Sequence, residues 1–305
     1  MSAVPDLVCL GNFTIDDVVL PNGSEQPGCT GGDALYATLA ARPWAPTAEL
    51  VAPVGNDLPT GILKQIADAG LSDEGLPQRS LPTLRNRVEY FATGDRKWTL
   101  FATEAEFDLL SPLPSDIPAG FHNAKAFMIL AMTLAAQERL VADLKARGRG
   151  LIALDPQEDY IRGNEVRLRR LIAAVDIFLP SAEEVRQLLG TEDWSAAART
   201  FARQGPRVVV IKLGAEGCLV YDARSDRDFR MPAYPAEVID TTGAGDSFCG
   251  AFMGAYTQKS LGLEYAAMAG VVAASFTVAG YGVEPLFKST TKAMRERLDA
   301  WRAKS

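Results

Sequence analysis

Short apolar runs, each followed by a stretch of helical length, recur along the whole of this 305-residue chain. LVCLG at 7–11, ELVAPVG at 49–55, AKAFMILAM at 124–132, GLIALD at 150–155, DIFLP at 176–180 and VVVIKLG at 208–214 read as buried strands, since they are aliphatic and β-branched with little alternation. Asp33 can N-cap a helix over ALYATLAAR, a helix near 58–69 stops at Gly70, Thr133 can cap one running to about Arg147, and a polar helix covers about 289–303. The Ala-, Gly- and Met-rich stretch from 243 to about 279 reads as two closely packed helices. Strands separated by helices are βαβ units, which implies a mainly parallel sheet between two helical layers. Length alone gives a prior of about two domains. No Pro/Gly/Ser linker, internal repeat or low-complexity tract divides the sequence, however, so residues 1–305 are expected to form one α/β domain.

Two segments break the alternation. TIDDVVLP at 14–21 is a strand with no helix after it, and RVEYFATGDRKWTLFAT at 87–103 is a pair of β-rich arms around Thr93-Gly94-Asp95-Arg96, a hairpin signal. Segments at about 12–21 and 84–103 are therefore expected to project as a small antiparallel sheet, covering a pocket or forming the contact of a homodimer. Phe91, Trp98 and Phe101 can stack on a ligand ring or pack on a second subunit. Arg79, Arg85, Arg87 and Arg96 can hold an anion or stay solvated.

Composition removes several function classes. A content of 48% hydrophobic and 23% charged residues is that of a packed globule rather than a disordered chain. No apolar run approaches the ~20 residues that span a bilayer, and MSAVPDLVCLGNF carries no basic, cleavable leader pattern. A cytoplasmic location with no membrane partner is the expectation. The net charge of −7 argues against nucleic acid as a partner. Cys9, Cys29, Cys218 and Cys249 form no CxxC pair and read as reduced, mostly buried thiols. His122, the one histidine, stands in a turn without neighbouring metal-ligand types. Chemistry is left to carboxylates and backbone.

Asp240-Thr241-Thr242-Gly243-Ala244-Gly245-Asp246-Ser247-Phe248, continued by Cys249-Gly250-Ala251-Phe252, opens a helix. Small residues at 243–245 leave main-chain N–H groups uncovered at the positive end of the helix dipole, which makes an anion site of backbone. A carboxylate immediately behind such a site would repel a resting phosphate. Asp246 therefore suits a general base that takes the proton of a hydroxyl attacking the bound phosphoryl group. The alternative is a carboxylate that only complements the helix N-terminus.

The thirteen-residue run resembles the C-terminal signature of the ribokinase-like, or PfkB, carbohydrate kinases, and the resemblance extends over nearly the whole chain. Gly31-Gly32-Asp33-Ala34 resembles the family's sugar-contacting Gly-Gly segment, Val54-Gly55-Asn56-Asp57 with Gly61 its VGxD element, and Lys212-Leu213-Gly214-Ala215-Glu216-Gly217 its nucleotide-binding turn. The resemblance implies a three-layer α/β/α core with a small β lid, ATP as phosphoryl donor, Mg2+, and a sugar, polyol or nucleoside as acceptor. It places the base on Asp246 and the anion hole on Gly243, Ala244 and Gly245. Acceptor contacts fall on Asp16 (with Asp17 adjacent), Gly31, Gly32, Asp33 and Tyr36. Nucleotide contacts fall on Ser181, Lys212, Gly214, Gly217 and Gly245. Glu184 of Ser181-Ala182-Glu183-Glu184 takes the place of the metal-associated carboxylate of an Asn-x-x-Glu motif, although Ser-x-x-Glu is equally a helix capping box. In many relatives carbonyls hold K+ at positions that here are Asp240, Thr242, Thr277, Gly280 and Gly282.

Tyr36 stands where many members carry a sugar-binding Asn, and Ile129, Leu130 and Ala131 stand where ribokinase has an acidic contact, so ribose itself is a poor match. The altered positions Tyr36 and Ser181 suit a member that binds a small ligand without turning it over. The intact Gly243–Asp246 run suits an enzyme. There is no GxxxxGK[ST], no GxGxxG after the first strand and no protein-kinase motif set.

Overall fold

The computed structural model describes residues 4–91, 96–258 and 260–303, with Arg96 described by its backbone alone. In chain order the elements are β1 (Leu7–Leu10), β2 (Thr14–Val19), β3 (Glu25–Gly31), α1 (Asp33–Ala41), β4 (Glu49–Val51), α2 (Thr60–Asp68), β5 (Leu84–Tyr90), β6 (Arg96–Leu100), α3 (Glu104–Leu109), β7 (Ala126–Ile129), α4 (Leu134–Arg147), β8 (Leu151–Leu154), α5 (Glu165–Ala173), β9 (Ile177–Phe178), α6 (Ala182–Leu189), α7 (Trp194–Ala202), β10 (Val208–Lys212), β11 (Cys218–Asp222), β12 (Arg227–Met231), α8 (Ala244–Tyr256), α9 (Gly262–Thr277), α10 (Glu284–Lys288) and α11 (Thr291–Arg302).

The main sheet has the order β12-β11-β10-β9-β8-β7-β1-β4, parallel from β10 to β4, with β11 and β12 added antiparallel at one edge. Its strands are apolar on both faces because both are covered. Leu7 and Cys9 face a core shared with α1, α8 and α9, while Val8 and Leu10 face one shared with α4, α5 and α7. This is the expected three-layer arrangement with a mainly parallel sheet. The strands are shorter than the apolar runs. ELVAPVG is a strand only over Glu49–Val51, since Pro53 has no N–H for a ladder, and Val54 makes a single bridge to Gln78. The β11–β12 hairpin lay outside the sequence reading.

The second sheet has the order β3-β2-β5-β6. Its strands β2, β5 and β6 fall inside the two expected segments, but two features differ from the expectation. The sheet is mixed rather than antiparallel, because β2 and β5 pair in parallel. It also contains β3, whose Gln26-Pro27-Gly28 runs against β propensity and is held by pairing with β2. The hairpin turn at Thr93-Gly94-Asp95 lies outside the described residues.

Helix ends follow local chemistry, with one correction. The Thr133 hydroxyl accepts from Ala136 N at the start of α4, and Gly70 takes the left-handed conformation after α2, as expected. Asp33 is not the cap of α1: Gly32 holds that place with φ 106, and Asp33 is the first helical residue. α1 and α8 cross with almost no side chain between them. A methyl at Gly250 would lie 1.9 Å from the Ala37 carbonyl oxygen, and one at Gly254 would lie 2.9 Å from that of Ala41. The small face of the signature helix is thus a packing requirement. No helix among the described residues is long and apolar enough to cross a membrane. Cys9, Cys218 and Cys249 are buried, Cys29 is half-buried, and all are free thiols. The His122 ring is tied to the Ile117 carbonyl by Nε2 at 2.9 Å.

Candidate active site

The carboxyl ends of the parallel strands carry the polar residues that the strands themselves lack. Asn12 follows β1, Asp155 follows β8, Ser181 follows β9 and Lys212 ends β10. That edge of an open α/β sheet is where ligands bind. Gly243, with φ 74, turns the chain into α8, and the first intrahelical bond runs from Ser247 N to Gly243 O at 2.9 Å. Within the turn Ala244 N donates to Thr241 O at 3.2 Å, so Gly243 and Gly245 supply the N–H groups that this helix N-terminus can offer a ligand. Only glycine fits at 243, both for its positive φ and because a Cβ would meet the Tyr36 ring at 2.4 Å.

Lys212 stands against this turn. Its Nζ lies 3.7 Å from where a Gly245 Cβ would be, and donates to Asp155 Oδ2 at 2.5 Å. The Asp155 side chain is buried and that of Lys212 is 15% exposed. Burial opposes charge on Lys212, but Asp155, Cys249 and Glu184 beside it drive its pKa up, so the ammonium is kept. The second oxygen of Asp155, Oδ1, is buried without a partner. At 181–184 the capping box is formed in both directions: Ser181 N donates to Glu184 Oε2 at 2.6 Å and Glu184 N to Ser181 Oγ at 3.2 Å. Glu184 is 6% exposed, and burial pushes its pKa up to about 8, with Asp155 adding to the rise. Gly214 and Gly217 form the turn between β10 and β11, both with positive φ, and a Cβ at Gly217 would meet the Met231 carbonyl at 2.0 Å.

On the other side of α8 the structure collects carboxylates. Asp33 Oδ1 accepts from Asn12 N and Ala34 N, each at 2.6 Å, and a Cβ at Gly11 would occupy its place. Burial and then the neighbouring Asp246 raise the Asp33 pKa well above the usual carboxylate range. Asp16 is 5% exposed, and burial pushes it up to about 6. Its Oδ1 accepts from Asn86 Nδ2 at 2.8 Å, while its Oδ2 lies 2.2 Å from where a Gly31 Cβ would be. Of the two neighbouring aspartates, Asp16 points inward and Asp17 points outward to the Gly28 N–H at 2.9 Å. Tyr36 is a core residue, 2% exposed, whose hydroxyl has no partner and is surrounded by Asp16, Asp240 and Asp246. Asn12 Oδ1 and Asn86 Oδ1 are likewise buried and unpartnered. Buried polar atoms without partners are rare in folded chains and point to a ligand.

The expected arginines are engaged elsewhere: Arg79 with Asp116, Arg85 with Asp57, and Arg87 with Glu25 and Glu89. Of Phe91, Trp98 and Phe101, Trp98 is the one that shares the face of Asp16, through the register Asp16–Asn86 and Val88–Trp98, and it is 45% exposed there. The loops holding Asp240–Thr242 and Thr277–Gly282 lie side by side, with Ile239 N donating to Val278 O at 2.7 Å. The Thr277 hydroxyl is engaged with Ser247, and Gly280 and Gly282 line a cavity of about 490 Å³ against β3. Among the described residues no group of three or more His, Cys, Asp or Glu side chains is disposed to hold a metal.

Asn86, Asp155 and Tyr90 were missed from sequence. Asn86 and Tyr90 occupy inward positions of the series Leu84, Asn86, Val88, Tyr90, so alternation alone marks them. Asp155 was visible as the polar residue that ends an apolar strand.

Comparison with known proteins agrees with this geometry. The chain is 31% identical over 256 residues to cytidine kinase of Thermococcus kodakarensis, covering 83% of this chain and 89% of that protein. Its fold matches the nucleoside kinase of Methanocaldococcus jannaschii, an archaeal member of the ribokinase family, with a TM-score of 0.78 at 21% identity over 98% of this chain and 100% of the other. It also matches a provisionally assigned ribokinase II of Escherichia coli in complex with ATP and Mg2+, with a TM-score of 0.78 at 22% identity over 97% of this chain and 100% of the other. Residues 30–289 fit the pfkB family of carbohydrate kinases, and the chain belongs to that family of ATP-dependent kinases.

Proposed function

We propose that this kinase transfers the γ-phosphoryl group of ATP to a sugar hydroxyl of a nucleoside, with Asp246 as general base and the Gly243–Gly245 turn as the anion hole. The observation that carries the reading is the opposition of two chemistries across one helix terminus. Lys212 stands by Gly245, while Asp246 neighbours Asp33 and, with Asp16, the Tyr36 side chain that packs on Gly243. Cation and backbone N–H groups suit the triphosphate, with Gly214 and Gly217 shaping the nucleotide turn. Carboxylates suit a neutral acceptor that donates hydroxyls, and a second phosphorylated ligand would be repelled. Mg2+ bound to the triphosphate would neutralise charge on the transferred group, and Mg2+ typically needs only one or two protein carboxylates there. Asp155 Oδ1, buried without a partner, and Glu184 are the carboxylates placed for it.

Asp246 accepts the acceptor's hydroxyl proton as the oxygen bonds to the γ-phosphorus. The bond to the β–γ bridging oxygen breaks, ADP leaves, and the proton remains on Asp246. Asp33 has Oδ1 tied to the protein, leaving Oδ2 to accept an acceptor hydroxyl, while Asp16, bonded to Asn86 and Thr14, would exchange one of these partners for the acceptor, with Gly31 and Gly32 keeping the backbone close. The second sheet acts as a lid that excludes water from the reaction. Trp98 on its inner face, together with the likeness to a cytidine kinase, favours a nucleoside over a free sugar, because a base can stack on the ring. Carbonyls of the Asp240–Thr242 and Thr277–Gly282 loops would hold a K+ ion, a reading supported by the Ile239 N to Val278 O bond that joins the two loops.

ADP release measured with cytidine, uridine, adenosine and D-ribose tests the reading. Stacking of one base contributes ~1–3 kcal/mol, so a nucleoside should exceed ribose by roughly 10- to 100-fold in kcat/KM. Ribose equal to every nucleoside would refute the acceptor assignment, and no ADP release with any acceptor would favour a binding role without turnover.

A further inference from the structure

The last residue of β5 reaches out of the lid sheet. Tyr90 points its hydroxyl into the loop that leads to α8, bonding the Asp240 carboxylate and lying 2.7 Å from Thr242 Oγ1. Its ring stands edge-on to Tyr281, with centroids 6.1 Å apart, so a second loop holds it from the side. Asp240 is 2% exposed, and the same oxygen that meets Tyr90 accepts the Thr242 N–H at 2.6 Å. The chain then passes directly into Gly243, whose left-handed conformation aims the first-turn N–H groups of α8.

We infer that Tyr90 is a positioning residue that joins the lid to the phosphate-binding turn. A buried carboxylate needs its donors, because an unmatched charge in a dry site is costly. With the lid down, Asp240 has one donor from the lid and one from its own loop. When the lid lifts, the lid's donor is withdrawn, and the Asp240–Thr242 segment loses the contact that fixes its entry into Gly243. The anion hole is therefore complete only when the acceptor side is covered. Such an arrangement couples phosphoryl transfer to lid closure and suppresses transfer to water, since ATP in an open site faces an incomplete turn. The inference goes beyond the acceptor assignment and holds for any acceptor hydroxyl.

Tyr90→Phe removes one oxygen and keeps the ring against Tyr281. We expect amide hydrogen exchange to quicken together in residues 84–90 and 238–246 of the variant. The ratio of cytidine phosphorylation to acceptor-independent ADP release should fall at least tenfold, with the melting temperature close to that of the parent. Thr242→Val in the same background should add little, because both changes break one latch. Unchanged exchange in both segments, an unchanged transfer-to-hydrolysis ratio, or strictly multiplicative effects of the two substitutions on that ratio would each overturn the inference. A parent protein that phosphorylates no nucleoside better than ribose would instead refute the acceptor assignment, and the exchange and ADP-release measurements would still decide the role of Tyr90.

Discussion

Lys212 Nζ and Asp155 Oδ2 meet at 2.5 Å in a buried ion pair directly behind the amino-terminal turn of α8. The pair sets where a positive charge stands relative to the proposed anion hole, and its two members come from the ends of separate parallel strands. Removing one partner of a buried pair leaves the other charge uncompensated, at a cost of about 3–5 kcal/mol. Asp155→Ala should therefore lower stability by that order in denaturant melts, and adding Lys212→Met should recover most of the loss. Catalysis should not recover: Lys212→Met alone should cost roughly 10²-fold in kcat, as loss of one preorganised electrostatic contact does.

Gly250→Ala tests why the signature helix is small. The new methyl would lie 1.9 Å from the Ala37 carbonyl oxygen, against backbone that cannot rotate away. Overpacking of this kind costs about 1–3 kcal/mol or more. A melting temperature equal to that of the parent would show that α1 and α8 are looser than described. Gly61→Ala, which meets nothing within 4 Å, is the control.

Asp16 gives two opposed pH trends. Burial raises its folded pKa from the ordinary aspartate value of 3.8 to about 6. Its protonated form therefore favours the fold: that stability is fully present below the unfolded pKa and is lost as pH rises through about 6. The amount is about 2–3 kcal/mol. Acceptor binding should move the other way, because the ionised carboxylate is the better hydrogen-bond acceptor, so kcat/KM for the acceptor should rise with pH through the same interval. Asp16→Asn should remove both trends near pH 6. Persistence of the stability trend in that variant would assign it to another group.

Much of the core was legible in the sequence because its signals are local. Apolar strand runs, the cap at Thr133 and the glycine spacing of 243–250 each follow from one short stretch and its chemistry. What escaped depends on pairing across the chain. Gln26-Pro27-Gly28 becomes a strand only because β2 lies beside it, and the parallel union of β2 with β5 joins residues that no local pattern connects. Asp33 reads as a cap, yet Gly32 takes that place, because a Cβ there would meet the Asn12 carbonyl at 2.5 Å. From sequence Arg85 and Arg87 can hold an anion or stay solvated, and their partners Asp57 and Glu25 come from elsewhere in the chain. Within the site, motif residues were found, and the residues that hold them, Asn86, Asp155 and Tyr90, were not.

The central claim is that Asp246 acts on the acceptor's proton, and Asp246→Asn tests it most directly. The substitution keeps size and shape but cannot take a proton at neutral pH. Steady-state turnover with the best acceptor of the panel should fall by ~10²–10⁴, with ATP binding kept and the melting temperature close to that of the parent. A helix-end charge would give the reverse pattern, with up to ~1 kcal/mol of lost stability and near-normal turnover. That result would contradict the assignment of Asp246 and the mechanism built on it.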